Sequence, residues 1–180
     1  MIKYFTFALL PLIICCNSKT ITVGTEITGD FDGDGKIDTA KAVQTKFGNG
    51  SVESGKSNAF KITFDNSIKS QEITCNCKDV ILVNEGNLNG KSGDEISVVD
   101  TNNDSNIVGM MTYTIENNRW VSIAGPSILG NAKTALKEKL QSYIIKENEK
   151  IFQYSYSDGI TTNNDGNIVN KIVKKEVFIK

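Results

Sequence analysis

Apolar and polar positions alternate along most of this chain in short runs of period two, the spacing of strands rather than helices. Residues 59–64, A-F-K-I-T-F, place Phe60, Ile62 and Phe64 on one face, as a half-buried strand does. Residues 38–45 put Ala40 and Ala42 on one face in the same way, and 80–83 is a short apolar run suited to a central strand. Further runs at 95–100, 107–115, 120–124, 151–156 and 168–179 are separated by turns rich in Asn and Gly. Within them, T-Y-T-I-E-N-N-R-W-V-S-I reads as a hairpin turning at Asn117 and Asn118. One segment changes period. Across 132–145, Ala132, Leu136, Leu140, Tyr143 and Ile144 fall on one helical face, with Lys137, Glu138 and Lys139 outside, which predicts a helix. The expected fold class is mainly β, an antiparallel sheet structure with one helix in the C-terminal half. Clustered lysines in the last run predict an exposed, protected sheet edge.

The first residues follow a different pattern. Lys3 precedes an apolar run over 5–14, too short for the roughly 20 residues of a membrane-spanning helix, and Asn17-Ser18-Lys19 ends it abruptly. A basic start, an apolar middle and a polar sequel predict an export signal. Its ending, Ile13-Ile14-Cys15-Cys16, resembles the lipobox of bacterial lipoproteins. The resemblance implies cleavage after a signal at 1–15, acyl chains of the palmitate kind on Cys16, a tether over 16–23 and one β-rich domain over 24–180. Cys15 is the alternative anchor, with Leu12 then at the usual aliphatic position. Each buried methylene of such chains adds about 0.8 kcal/mol of membrane attachment. No acidic cluster follows Cys16, so the expected location is the bacterial cell envelope, lipid-anchored in the outer membrane and facing the periplasm.

Composition narrows the chemistry. The 180 residues contain no His, which excludes Ser-His-Asp triads, Cys-His pairs and His-bearing zinc sites. Twenty basic residues against 21 acidic ones give a net charge of -1, so no nucleic-acid partner is expected. Beyond the signal only Cys75 and Cys77 remain. Their spacing leaves a disulfide across a turn at Asn76, free thiols and simple burial all open.

Candidate chemistry concentrates in one loop. Residues 29–40 read G-D-F-D-G-D-G-K-I-D-T-A, with acids at Asp30, Asp32, Asp34 and Asp38 and a turn-permitting Gly35. Four carboxylates in nine residues repel one another unless a cation sits between them. An oxygen-only set, with the Lys36 carbonyl as a further ligand, suits calcium and suits zinc or copper poorly. Lys41 stands where a helix-flanked calcium hand places Glu, and a strand follows instead of a helix. The segment resembles the short calcium loop of FG-GAP and VCBS-like repeats, the units of integrin-type propeller blades. A degenerate copy lies 57 residues on, where Asn87, Asn89, Lys91 and Glu95 overlay the four acids. Lys91 is expected to neutralise that turn from inside, with weak cation binding by Asp94 and Glu95 the alternative. The resemblance implies blade-like units over 24–84 and 85–125, followed by a helix and terminal hairpin over 126–180. The chain is too short for a full propeller of ordinary blades.

These readings favour a lipid-anchored, calcium-stabilised envelope protein with a binding or scaffold role, its partner an envelope protein or a polysaccharide. No catalytic residues are assigned, so an enzyme is the less favoured class. One alternative is a carboxylate-dependent glycan hydrolase; another is an inhibitor of an envelope enzyme. Trp120, the one Trp, suits sugar stacking and core packing equally.

Overall fold

The computed structural model describes residues 22–48, 57–75, 77–101, 107–129, 140–156, 161–162, 168–169 and 172–178. The predicted signal, with Cys15 and Cys16, and residues 132–139 of the predicted helix lie outside them. After β1 (Val23–Gly24), strands β2 (Glu26–Gly29), β3 (Asp38–Lys46), β4 (Asn58–Phe64) and β5 (Gln71–Cys75) form a four-stranded antiparallel meander. A second meander follows, from β6 (Asp79–Gly86), β7 (Glu95–Thr101), β8 (Ile107–Glu116) and β9 (Arg119–Ala124). β1 pairs with the outer side of β6, and β10 (Ser127–Leu129) pairs with the far end of β8. Beyond a 3-10 turn at Leu140–Ser142 come β11 (Ile144–Glu147), β12 (Lys150–Tyr156), the short pair β13 (Thr161–Thr162) and β14 (Ile168–Val169), and β15 (Ile172–Val177). β11, β12 and β15 make a third, three-stranded sheet. The fold is mainly β and antiparallel. Among the described residues no helix is long and apolar enough to cross a membrane.

The strand before each loop shares a sheet with the strand after it. β6, counted with 24–84 in the sequence, therefore opens the second sheet. That sheet is the middle layer. Val80 and Leu82 of β6, with Ile96 and Val98 of β7, join Ile27, Phe60 and Ile62 in one core. Val83 and Val99, from the opposite face, join Leu140, Ile144 and Ile151 in another. Burial on both faces explains why 80–83 is continuously apolar and why β7 is buried from Glu95 to Val99, whereas β4 alternates.

The described part of the predicted helix is not α-helical: Leu140–Ser142 is a 3-10 turn and Ile144–Glu147 a strand. The spacing of Leu140 and Ile144 fits a helix face, yet both reach the same core from a turn and a strand. β-branched Ile144 and Ile145 favour extended backbone, and Asn148 and Glu149 close a hairpin with φ of 49° and 62°. Asn117 and Asn118 turn the predicted hairpin with φ of 50° and 60°.

Trp120 packs rather than projects. Ring centroids run from Phe31 to Phe64 (5.8 Å), on to Trp120 (5.8 Å) and to Tyr113 (5.3 Å), and Trp120 Nε1 donates to the Lys69 carbonyl at 2.8 Å. Cys75 and Cys77 are joined by a disulfide, their Cα atoms 5.1 Å apart. At the edge strand β15, Lys174 pairs with Glu147 of β11, and Glu176 with Lys150 of β12 at 3.1 Å. Exposed pairs of this kind are each worth about 1 kcal/mol or less.

Candidate metal centre

Pairing of Gly29 with Asp38 closes the loop over residues 30–37 between β2 and β3. The loop is shaped by its own carboxylates, which accept from its backbone N–H groups. Phe31 N donates to Asp38 Oδ2 at 2.9 Å, Asp34 N to Asp32 Oδ1 at 3.1 Å, Gly35 N to Asp30 Oδ2 at 3.0 Å and Lys36 N to Asp34 Oδ1 at 2.8 Å. Local bonds of this type explain why Asp recurs at 30, 32 and 34. Phe31, fully buried in the first core, anchors the loop from below.

Three of the four predicted acids converge. Oxygens of Asp30, Asp32 and Asp38 lie within 4.8 Å of one another. Asp38 is only 4% exposed, and burial pushes its carboxyl pKa up, reinforced by the charges of Asp32 and Asp30 and opposed by the Phe31 N–H. Asp30 Oδ1 is buried without a hydrogen-bond partner. Asp34 stands apart, its carboxylate 2.6 Å from the Lys36 ammonium. That hydrogen bond lowers the Asp34 pKa and raises that of Lys36, and both side chains are exposed.

A residue the sequence reading missed completes the cluster. Asn66, in the turn between β4 and β5, donates from Nδ2 to Asp38 Oδ1 at 2.5 Å and to Asp32 Oδ2 at 3.4 Å. Its own Oδ1 accepts from Ile68 N at 2.9 Å, which fixes the amide's orientation. The only local signal was a turn-forming Asp-Asn-Ser; its approach to the loop, 28 positions away, comes from the β3–β4 pairing.

The second loop, between β6 and β7, repeats the frame with different chemistry. Leu88 N donates to Glu95 Oε2 at 2.6 Å, as Phe31 N does to Asp38. Glu95 is fully buried, and burial raises its pKa. Here the Asn89 amide enters the loop, donating from Nδ2 to Glu95 Oε1 at 2.6 Å and to Thr114 Oγ1 at 3.2 Å. Lys91 does not neutralise the turn from inside, because its ammonium reaches outward to Glu116 at 2.7 Å. A long flexible ammonium stays hydrated at the surface at lower cost than in a tight loop, and the neutral amide already fills the interior.

The two loops are fastened together. Asp94 N donates to the Asp30 carbonyl at 2.6 Å, and Asp30 N to Asp94 Oδ2 at 3.2 Å. Asn84 Nδ2 links the same Asp94 oxygen, at 3.1 Å, to the Thr28 carbonyl, at 2.8 Å. Gly33 sits at φ 76° with Ser92 directly above, and a Cβ there would lie 2.5 Å from that of Ser92. Asp32 also borders two open clefts of about 310 and 340 Å³, one towards Asn118 and Ser67, the other towards Lys91 and Glu116. No family model, curated protein or solved structure matches this chain.

Proposed function

We propose that this is a lipid-anchored, calcium-stabilised protein of the bacterial cell envelope with a binding or scaffold role. The observation that carries the reading is Asp30 Oδ1, a buried oxygen with no partner among three converging carboxylates. The Asn66 amide donates to Asp38 and Asp32 but brings no formal charge. A cation would supply what the oxygens lack. The donor set is hard and all oxygen, which fits calcium, held by Asp30, Asp32 and Asp38 with water filling the rest of its shell. Lys36, offered by the sequence through its carbonyl, and Asp34 would shape the outer loop. Because the Asp30 backbone is also fastened to Asp94 in the second loop, a cation there would brace the first two sheets against each other. The lipobox-like Cys16 supports attachment to the membrane, and the absence of any assigned nucleophile or base favours binding over catalysis.

Calorimetric titration with calcium chloride, beside melting curves in calcium and in chelator, tests the cation. With free calcium at ten times the dissociation constant, mass action adds roughly 1.4 kcal/mol of stability. A protein that gives neither heat nor a melting shift has only a turn here. Fatty-acid labelling that disappears in Cys16→Ser tests the anchor, and label retained in that variant but lost in a Cys15 variant moves it one residue back.

A further inference from the structure

Among the described residues, β5 of the first sheet and β7 and β8 of the second border an open cleft. It holds about 210 Å³ and runs between Ile73 and Cys75 on one side and Val98, Asp100, Met111 and Tyr113 on the other. Strand register explains the set. Ile96 pairs with Tyr113, Val98 with Met111 and Asp100 with Gly109, so these side chains share the face that carries Ile96 and Val98 into the first core. The walls are apolar and aromatic, and Asp100 is the one charged group among the described lining residues.

Two costly features meet at this spot. Gly109 sits within a strand, where glycine gives up packing and chain entropy. Its bare Cα is what admits the Asp100 side chain, because a Cβ there would overlap Asp100 Oδ1. That oxygen is buried with no hydrogen-bond partner, and no ion pair to Asp100 occurs among the described residues. Burial pushes the Asp100 pKa up, opposed by backbone N–H groups of Asp100 itself and Gly109. A carboxylate set in an apolar wall without a counter-charge is a loss in stability that a bound cation would offset.

We propose that this cleft binds a small primary alkylammonium ion, its chain along Met111 and Ile73 and its charge against Asp100. A neutral apolar ligand would desolvate the carboxylate without pairing it. A metal ion would find one carboxylate where hard cations need several oxygens. Tyr113 adds an aromatic ring to the lining, and the cleft is smaller than the ~300–1,000 Å³ that suits drug-sized ligands. The site is independent of the calcium reading.

Trp120 is the only Trp, and its ring lies 5.3 Å from that of Tyr113, so its fluorescence reports on the cleft. Titration of the full chain with n-butylammonium chloride is expected to give a saturable change, with none from n-butanol or sodium chloride. Asp100→Asn should weaken binding at least about tenfold, the effect of losing one charge-assisted contact. An equal response to butanol, no saturable response, or full affinity in a folded Asp100→Asn protein would each overturn the proposal. Should Asp100→Asn not fold, Met111→Phe fills the cleft from a side chain that is 39% exposed. Binding lost there supports the site, and binding unchanged refutes it.

Discussion

Among the four acids of the first loop, position in space rather than in sequence separates roles. Asp32 belongs to the converging oxygens, whereas Asp34 is occupied by Lys36 at the surface. Asp32→Asn is therefore expected to weaken calcium binding tenfold or more, and Asp34→Asn to change it less than about threefold, both read by calorimetry. Equal losses would mean that Asp34 swings inward to a cation and that its pairing with Lys36 is dispensable. The spacing of Asp30, Asp32 and Asp38 was legible because each also accepts a local N–H, which ties residue type to position. Asn66 and Asp94 were not legible as partners of the loop. Their contacts span 28 and 64 positions and depend on which strands pair.

The two loops are the same element with its charge balanced in different ways. In the first, three carboxylates share one amide and one oxygen is left over. In the second, Glu95 takes two backbone donors and the Asn89 amide, and none of its buried oxygens is orphaned. Asn89→Ala should thus leave calcium heat unchanged yet destabilise the fold by about 1–3 kcal/mol, the cost of a buried acceptor losing its donor. Denaturant melts in chelator measure this. A loss of calcium heat instead would place a cation in the second loop. Asp94→Ala should instead weaken calcium binding without touching a ligand, since it releases Asp30 N and Asn84 Nδ2 together. Strands were the most legible elements, because a half-buried sheet imposes alternation directly, as at Phe60, Ile62 and Phe64. The helix reading failed at Ile144 for a related reason: spacing of four marks two positions in one core without saying what backbone connects them.

Across the whole molecule the second sheet holds the layers together, and its inner strands carry polar groups on the face turned to the third sheet. Ser97 and Thr112 pair there through their hydroxyls at 2.6 Å, and Glu85 lies beside them, bonded to Ser97. Glu85 Oε1 is buried without a partner, and burial lifts its pKa from 4.5 to about 7, the Ser97 hydroxyl opposing. No sequence pattern signalled this, since Val-Asn-Glu-Gly reads as the end of a strand entering a turn. The folded chain holds this proton more tightly than the unfolded chain. The associated stability is complete below pH 4.5 and drains away as pH rises through 7. Over the full range it amounts to about 3 kcal/mol, of which about 2 kcal/mol falls between pH 5.5 and 8.5. Glu85→Gln keeps the shape and removes the titration, so the stability difference between wild type and variant should change by that amount between these two pH values. Denaturant melts in chelator at each pH measure it while keeping calcium linkage out of the comparison. Parallel pH profiles for the two proteins would mean that water or a rearranged side chain already satisfies Glu85, and that the contact between second and third sheets is indifferent to pH.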